Sequence, residues 1–355
     1  MKKLLMFIPV AALILSSCGG GAKTEEVKEL QGAGATFPYP LYSKMFTEYN
    51  TKTGIKVNYQ SIGSGGGIKQ LSAKTVDFGA SDAFLKDDDI KTMGADVIHV
   101  PTCLGAVVLT YNLAGNPKLK LTPETLGGIF SGSIKKWNDP KIMADNAGAA
   151  LPDKDIMVVH RSDGSGTTAI FTDYLVKVSP EFATLVPKAG KEVKWPVGVG
   201  GKGNEGVAGQ VKGTEGALGY VELAYATQNN MTMADMKNAA GNFVSATLAS
   251  IAASSNVEIP ADTRIALNNS PATDAYPITS FTWLLIYKEQ NYGGRTMEKA
   301  QAVTKLIWWM IHDGQQFNEA LQYGKLGPKA VAAGEANLKS VTFDGKPVLT
   351  DDMTK

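Results

Sequence analysis

Arg161-Ser162-Asp163-Gly164-Ser165-Gly166-Thr167-Thr168 brings a guanidinium, a carboxylate, four hydroxyls and two glycines into eight residues. These types suit the holding of a small oxyanion. Gly164 and Gly166 let the chain bare its amides, Ser165 and Thr167 add hydroxyl donors, and Arg161 adds a planar cation. The Gly-Lys-Ser/Thr ending of a nucleotide P-loop is missing. The same octet also fits an ordinary glycine-rich turn with a serine capping a helix. Asp155-Ile156-Met157-Val158-Val159-His160 before it reads as a buried strand. After it, Ala169, Ile170, Phe171, Tyr174, Leu175 and Val178 recur at helical spacing. The octet therefore falls where a strand ends and a helix begins. There the first helical amides have no partner within the helix, and the dipole is positive.

Other stretches repeat this arrangement. Gly32-Ala33-Gly34-Ala35-Thr36-Phe37-Pro38 precedes a helix face marked by Leu41, Met45 and Tyr49, which ends near Gly54. Pro38 suits the first helical turn. Lys56 to Ile62 alternates like a strand, and Gly63-Ser64-Gly65-Gly66-Gly67 leads from it into a short helix with Ile68 and Leu71. Val76-Asp77-Phe78-Gly79-Ala80-Ser81-Asp82 reads as a strand ending on an acid. Asp82 also fits a helix N-cap, and Asp87-Asp88-Asp89 reads as a solvated helix start rather than a metal site. In open α/β sheets, ligands gather at the carboxyl ends of strands. Convergence of Thr36, Ser64, Asp82 and the octet would make one pocket of hydroxyls, amides, a guanidinium and a carboxylate.

The rest of the chain bounds this reading. It has 355 residues, 44% hydrophobic and 19% charged, with a formal net charge of +1. That length allows two domains, the composition predicts a packed core, and the charge argues against a general nucleic-acid binder. Lys2-Lys3 and the apolar run from Leu4 to Leu15 form a secretory signal, too short for a comfortable membrane span. Leu15-Ser16-Ser17-Cys18 resembles a bacterial lipobox, which implies cleavage before Cys18 and its lipidation. Residues 1–17 are then a signal peptide, and 18–29 a lipidated tether. Cys103, the other cysteine, is expected to stay a lone buried thiol. His99, His160 and His312 show no metal-ligand spacing, and no metal or cofactor is expected. A phosphatase with Ser165 as nucleophile is the main alternative, but no base for it is evident in the sequence. A binder of sulfate or molybdate, and an adhesin or sensor on the same scaffold, are the others.

The turns quoted above resemble those of the periplasmic phosphate-binding proteins of high-affinity phosphate ABC importers. Tyr59-Gln60-Ser61-Ile62-Gly63-Ser64, Thr122-Pro123-Glu124-Thr125-Leu126, Lys136-Trp137-Asn138-Asp139-Pro140, Gly203-Asn204-Glu205-Gly206-Val207, Gly219-Tyr220-Val221-Glu222 and Tyr276-Pro277-Ile278-Thr279 extend the resemblance over nearly all of the chain beyond the tether.

The resemblance implies an α/β fold of two lobes, the type II periplasmic-binding-protein fold, each lobe a mixed sheet flanked by helices, with a two-strand hinge. It places lobe I in 30–103 and 276–355, and lobe II in 104–275. It implies a monomer that binds inorganic phosphate and delivers it to transmembrane permease subunits. It also implies no catalysis, and an exported chain anchored to a bacterial membrane and facing the periplasm or cell exterior. Its ligand residues fall on Thr36, Phe37 (through the main-chain N–H), Ser64, Asp82, Arg161, Ser165, Gly166 and Thr167, with Asp163 holding Arg161. Ser64-Gly65 departs from the two serines usual there. The remaining expectations are a strand-like run from Val97 to Tyr111 broken by Pro101, a strand over Phe281–Tyr287, helices over Ala302–Met310 and Phe317–Leu321, and a peripheral helix and tail after Pro328.

Overall fold

In a computed structural model of the chain, residues 27–353 are described. The secretory signal and Cys18 lie outside the described residues. Eight strands carry the architecture: β1 (Glu29–Gly34), β2 (Lys56–Ser61), β3 (Phe78–Ser81), β4 (Val97–Tyr111), β5 (Met157–Arg161), β6 (Val199–Gly201), β7 (Ala217–Glu222) and β8 (Thr279–Tyr287). Their spatial order is β2-β1-β3-β8-β4-β7-β5-β6, and a short strand, Thr232–Met233, pairs with the end of β4.

β4 belongs to both lobes. Its first part, from Val97 to Ala106, pairs antiparallel with β8, and Val107–Tyr111 pairs antiparallel with β7. All of β4 except Ile98 is buried. A strand covered on both faces reads as a continuous apolar run, which is why this segment lacks alternation. Pro101 does not break the strand as expected. Thr282 pairs with Cys103 and Trp283 with Pro101, so Thr102 is the extra residue of a bulge that absorbs the missing N–H.

Parallel pairs fill both lobes: β1 with β2 and β3, and β5 with β6 and β7. Helices α1 (Tyr39–Thr53), α2 (Gly63–Ser72), α3 (Asp87–Met93), α4 (Gly166–Val178), α5 (Gly203–Gly213) and α6 (Leu223–Gln228) each follow a strand or strand end. Gly54 closes α1 in the left-handed conformation, with its N–H donating to the Asn50 carbonyl. In one lobe Tyr42, Phe46, Tyr59 and Phe78 pack together; in the other Phe130, Phe171, Trp195 and Tyr220 do.

The C-terminal expectations need adjustment. α7 spans Met297–Ile311, longer than Ala302–Met310. Phe317–Leu321 holds only the ends of two 3-10 turns, Asp313–Phe317 and Glu319–Leu321, separated by Asn318. α8 (Pro328–Lys339) is not peripheral: Leu338 is buried, and Gly334 lies against Val100 of β4. Its small residues allow that approach, and they gave little apolar signal.

Candidate functional site

Six strand carboxyl ends meet in the cleft between the lobes. β1 leads to Thr36 and Phe37, β2 to Ser64, and β3 to Asp82. From the other side β5 supplies Arg161 and leads to Ser165, Gly166 and Thr167, β6 leads to Asn204, and β7 leads to Tyr225. Thr36, Phe37, Ser64, Asp82, Arg161, Ser165, Gly166 and Thr167 are all buried.

Arg161 is fixed on two sides. Its Nε and Nη2 donate to the two carboxylate oxygens of Asp163 at 2.8 and 2.6 Å, and its Nη1 donates to Thr167 Oγ1 at 3.3 Å. Burial pushes the Asp163 carboxyl up, but Arg161 and the Gly203 N–H outweigh it, so its pKa lies below the usual range. A bidentate guanidinium–carboxylate pair is geometrically specific and tempers the local positive charge.

The hydroxyls of Ser165 and Thr36 accept bonds that leave their own protons free. Ser165 Oγ accepts from the Thr168 N–H at 2.9 Å, so Ser165 is the N-cap of α4. The capping role and a donor role coexist, because a hydroxyl has one proton and two lone pairs. Ser64 Oγ accepts from the Asp82 N–H at 3.3 Å. Thr36 Oγ1 accepts from the Asn204 N–H at 3.2 Å and from its Nδ2 at 2.8 Å.

Asp82 is 2% exposed. It does not cap a helix; Lys86 occupies that position for α3. Its Oδ1 accepts from Thr282 Oγ1 at 2.8 Å. Burial raises its pKa to about 7, against the lowering effects of Thr282, Arg161 and Ser64. Loss of hydration penalises the charged form more than these partners restore it.

The lobes touch through main chain at the cleft. The Gly65 N–H donates to the Gly164 carbonyl at 2.8 Å. A Cβ on Gly166 would sit 2.4 Å from Ser64 Oγ and 2.5 Å from Asp82 Oδ2. The cleft is therefore closed, and glycine is required at position 166 by proximity.

Several members escape sequence reasoning. Thr282 and Tyr225 carry no local pattern; β8 and α6 bring them in. Tyr225 Oη donates to the Thr36 carbonyl at 2.6 Å, and Tyr323 Oη to the Phe37 carbonyl at 2.7 Å. Tyr220 Oη accepts from the Arg161 N–H at 3.1 Å. Asn204 had a signal, another glycine-flanked turn at a strand-to-helix junction. Among the described residues, no group of three or more His, Cys, Asp or Glu is placed to hold a metal ion. Cys103 is free and buried, and burial pushes its thiol up. His99 lies in β4 and accepts from the Leu85 N–H at 3.0 Å, while burial lowers its pKa to about 3. His160 lies in β5 with its ring stacked on Trp195.

Two lobes closing over a buried polar cleft define a hinged binding protein. A family model described as a PBP superfamily domain matches residues 20–313. The chain is 43% identical over 334 residues to the phosphate-binding protein PstS of Pasteurella multocida (strain Pm70), covering 92% of this chain and 94% of that protein. It is 44% identical over 321 residues to the phosphate-binding protein PstS of Xylella fastidiosa (strain Temecula1), covering 88% and 85%. The chain thus belongs to the PstS family of phosphate-binding proteins. Among solved structures, the phosphate-binding protein from Stenotrophomonas maltophilia superposes with a TM-score of 0.65 at 19% identity, covering 88% of this chain and 94% of that one. A high-affinity periplasmic phosphate-binding protein solved with bound phosphate gives 0.67 at 22% identity, covering 87% and 93%. At such identities the likeness speaks for the fold.

Proposed function

We propose that this protein captures inorganic phosphate outside the cytoplasmic membrane and delivers it to the permease of an ABC importer. One observation carries the reading: Arg161 from one lobe and Asp82 from the other reach the same buried cleft, joined by hydroxyl groups that have protons to donate. In this reading Thr36, Ser64, Ser165 and Thr167 donate through hydroxyls, and the Phe37 N–H and Gly166 add main-chain donors. Arg161 supplies charge while Asp163 holds it. Residues 30–103 and 276–355 form lobe I, and 104–275 form lobe II. The sheet exchange between Ala106 and Val107 supports a first crossing near there.

Asp82 sets the specificity. Phosphate near neutral pH keeps a proton that a carboxylate can accept, and sulfate has none. Sulfate then leaves two buried acceptors facing each other. Sites of this kind reject the analogue lacking the group by up to ~10⁴-fold. Charge-assisted hydrogen bonds contribute roughly 1.5–3 kcal/mol each. Several together support micromolar or tighter affinity, about −8 kcal/mol, after ordering costs.

Binding without catalysis is the reading we favour. Among the described residues, the hydrogen bond of Ser165 Oγ is with the Thr168 N–H, and no base is bonded to it. Lipid on Cys18 tethers a monomer to the membrane, where the permease is its partner. Calorimetric titration of the purified protein with phosphate and with sulfate tests the assignment. At pH 8 phosphate gives a saturable heat and sulfate gives none; equal heats overturn it.

A further inference from the structure

Asn204 is fully buried at the start of α5 and touches both sides of the cleft. Its Oδ1 accepts from the Glu222 N–H at 2.9 Å. A backbone N–H can only donate, so this contact fixes which end of the amide is oxygen. Nδ2 therefore faces the cleft with two protons. It lies 2.8 Å from Thr36 Oγ1 and 3.1 Å from Thr167 Oγ1. One proton goes to each threonine.

The count then closes. Thr36 Oγ1 accepts from Asn204 twice, through Nδ2 and the main-chain N–H. Thr167 Oγ1 accepts from Asn204 Nδ2 and Arg161 Nη1. A hydroxyl oxygen has two acceptor positions, and both are filled on both threonines. Neither hydroxyl can turn its own proton back toward these partners, because each of them is a donor.

We propose that Asn204 is a positioning residue that forces Thr36 and Thr167 to act as donors: Thr167 from within its own lobe, and Thr36 only when the lobes are closed. This deepens the phosphate reading and rests on it for the identity of the anion. Two hydroxyls from opposite lobes are locked with their protons turned toward the guest. A free hydroxyl is as good an acceptor as a donor and must be reoriented at a cost. For Thr36 the reorientation is made by lobe closure; for Thr167 it is set beforehand, by an Asn204 amide held at the Glu222 N–H.

Two measurements test it. Neutron diffraction on deuterated crystals locates the hydroxyl deuterons of Thr36 and Thr167 directly. Both should point away from Asn204, in crystals with phosphate and in closed crystals without it. A deuteron of either threonine directed at Asn204, or spread over several rotamers, overturns the proposal. The second is phosphate binding by Asn204→Ala, read by stopped flow. Dissociation should accelerate by on the order of tenfold to a hundredfold, two hydrogen bonds' worth, while association stays within about twofold. An unchanged dissociation rate, or a loss carried by slower association, overturns it. Wild-type protein that fails to bind phosphate would instead remove the functional reading, and the ligand-free deuteron positions would still decide the role of Asn204.

Discussion

At the scale of single residues, Asp82 makes the sharpest demand. In the closed fold burial holds its pKa at about 7, against an ordinary value of 3.8. Between those values the folded chain keeps a proton that the unfolded chain releases. Stability of the ligand-free protein therefore falls as pH rises from about 4 to 7 and then levels off. Asp82→Asn removes this dependence, so its stabilisation relative to wild type should grow to on the order of 4 kcal/mol between pH 4 and pH 8. Denaturant melts at several pH values check this; a difference independent of pH contradicts it. The same proton bears on specificity. Below pH 7 a protonated Asp82 can donate to sulfate, so sulfate should bind measurably at pH 5 and not at pH 8, and Asp82→Asn should weaken its exclusion at pH 8. A second residue-scale prediction concerns the Thr36–Phe37 peptide. Tyr225 Oη bonds its carbonyl, whereas Tyr323 Oη bonds the next carbonyl, which precedes Pro38 and shares no N–H. Tyr225→Phe should weaken phosphate binding about fivefold to tenfold, the value of one hydrogen bond, and Tyr323→Phe less than twofold. Equal losses in calorimetry would show that the Phe37 N–H gains nothing from Tyr225.

At the scale of elements, the start of α4 is built for closeness. Ser165 caps it, and Gly166 gives it room to meet Ser64 and Asp82. Gly166→Ala adds a methyl group at 2.4–2.5 Å from two oxygens. The lobes would have to part by a few tenths of an ångström or more, at a cost of about 1–3 kcal/mol. Phosphate affinity should fall by about tenfold to a hundredfold, because the closed state carries that cost. A variant that binds like wild type would show that the closed contact is dispensable.

At the scale of the whole molecule, two lobes share β4 and close on an anion, so phosphate should stabilise the folded protein by mass action. At 100 times the dissociation constant the gain is about 2.7 kcal/mol. Thermal melts should rise with phosphate and stay flat with sulfate at pH 8; a rise with both would point to a generic ionic effect. The proposed anchoring is a separate matter, set by Cys18. Cys18→Ser should release the protein from membranes in fractionated cells, and a variant that still sediments with membrane argues against a lipid at that residue. No helix among the described residues is long and apolar enough to cross a membrane.

Periodicity and turn chemistry made the strand-to-helix junctions at Thr36, Ser64, Asp82 and the octet legible, because glycine, serine and threonine clusters between a strand and a helical stripe leave few local conformations. The Arg161–Asp163 pairing was legible for a similar reason: the two residues share one turn. Tertiary structure alone decided the rest. Thr282 reaches Asp82 across 200 residues of sequence, and Tyr225 reaches Thr36 across 189. The path of β4 through Pro101 depended on a bulge set by pairing with β8. The donor sense of two threonine hydroxyls depended on an asparagine whose own orientation is fixed by β7. Local sequence dictates what a segment can do with its own backbone; which lone pair is filled, and from which side, is settled only when distant strands deliver their ends to the same few cubic ångströms.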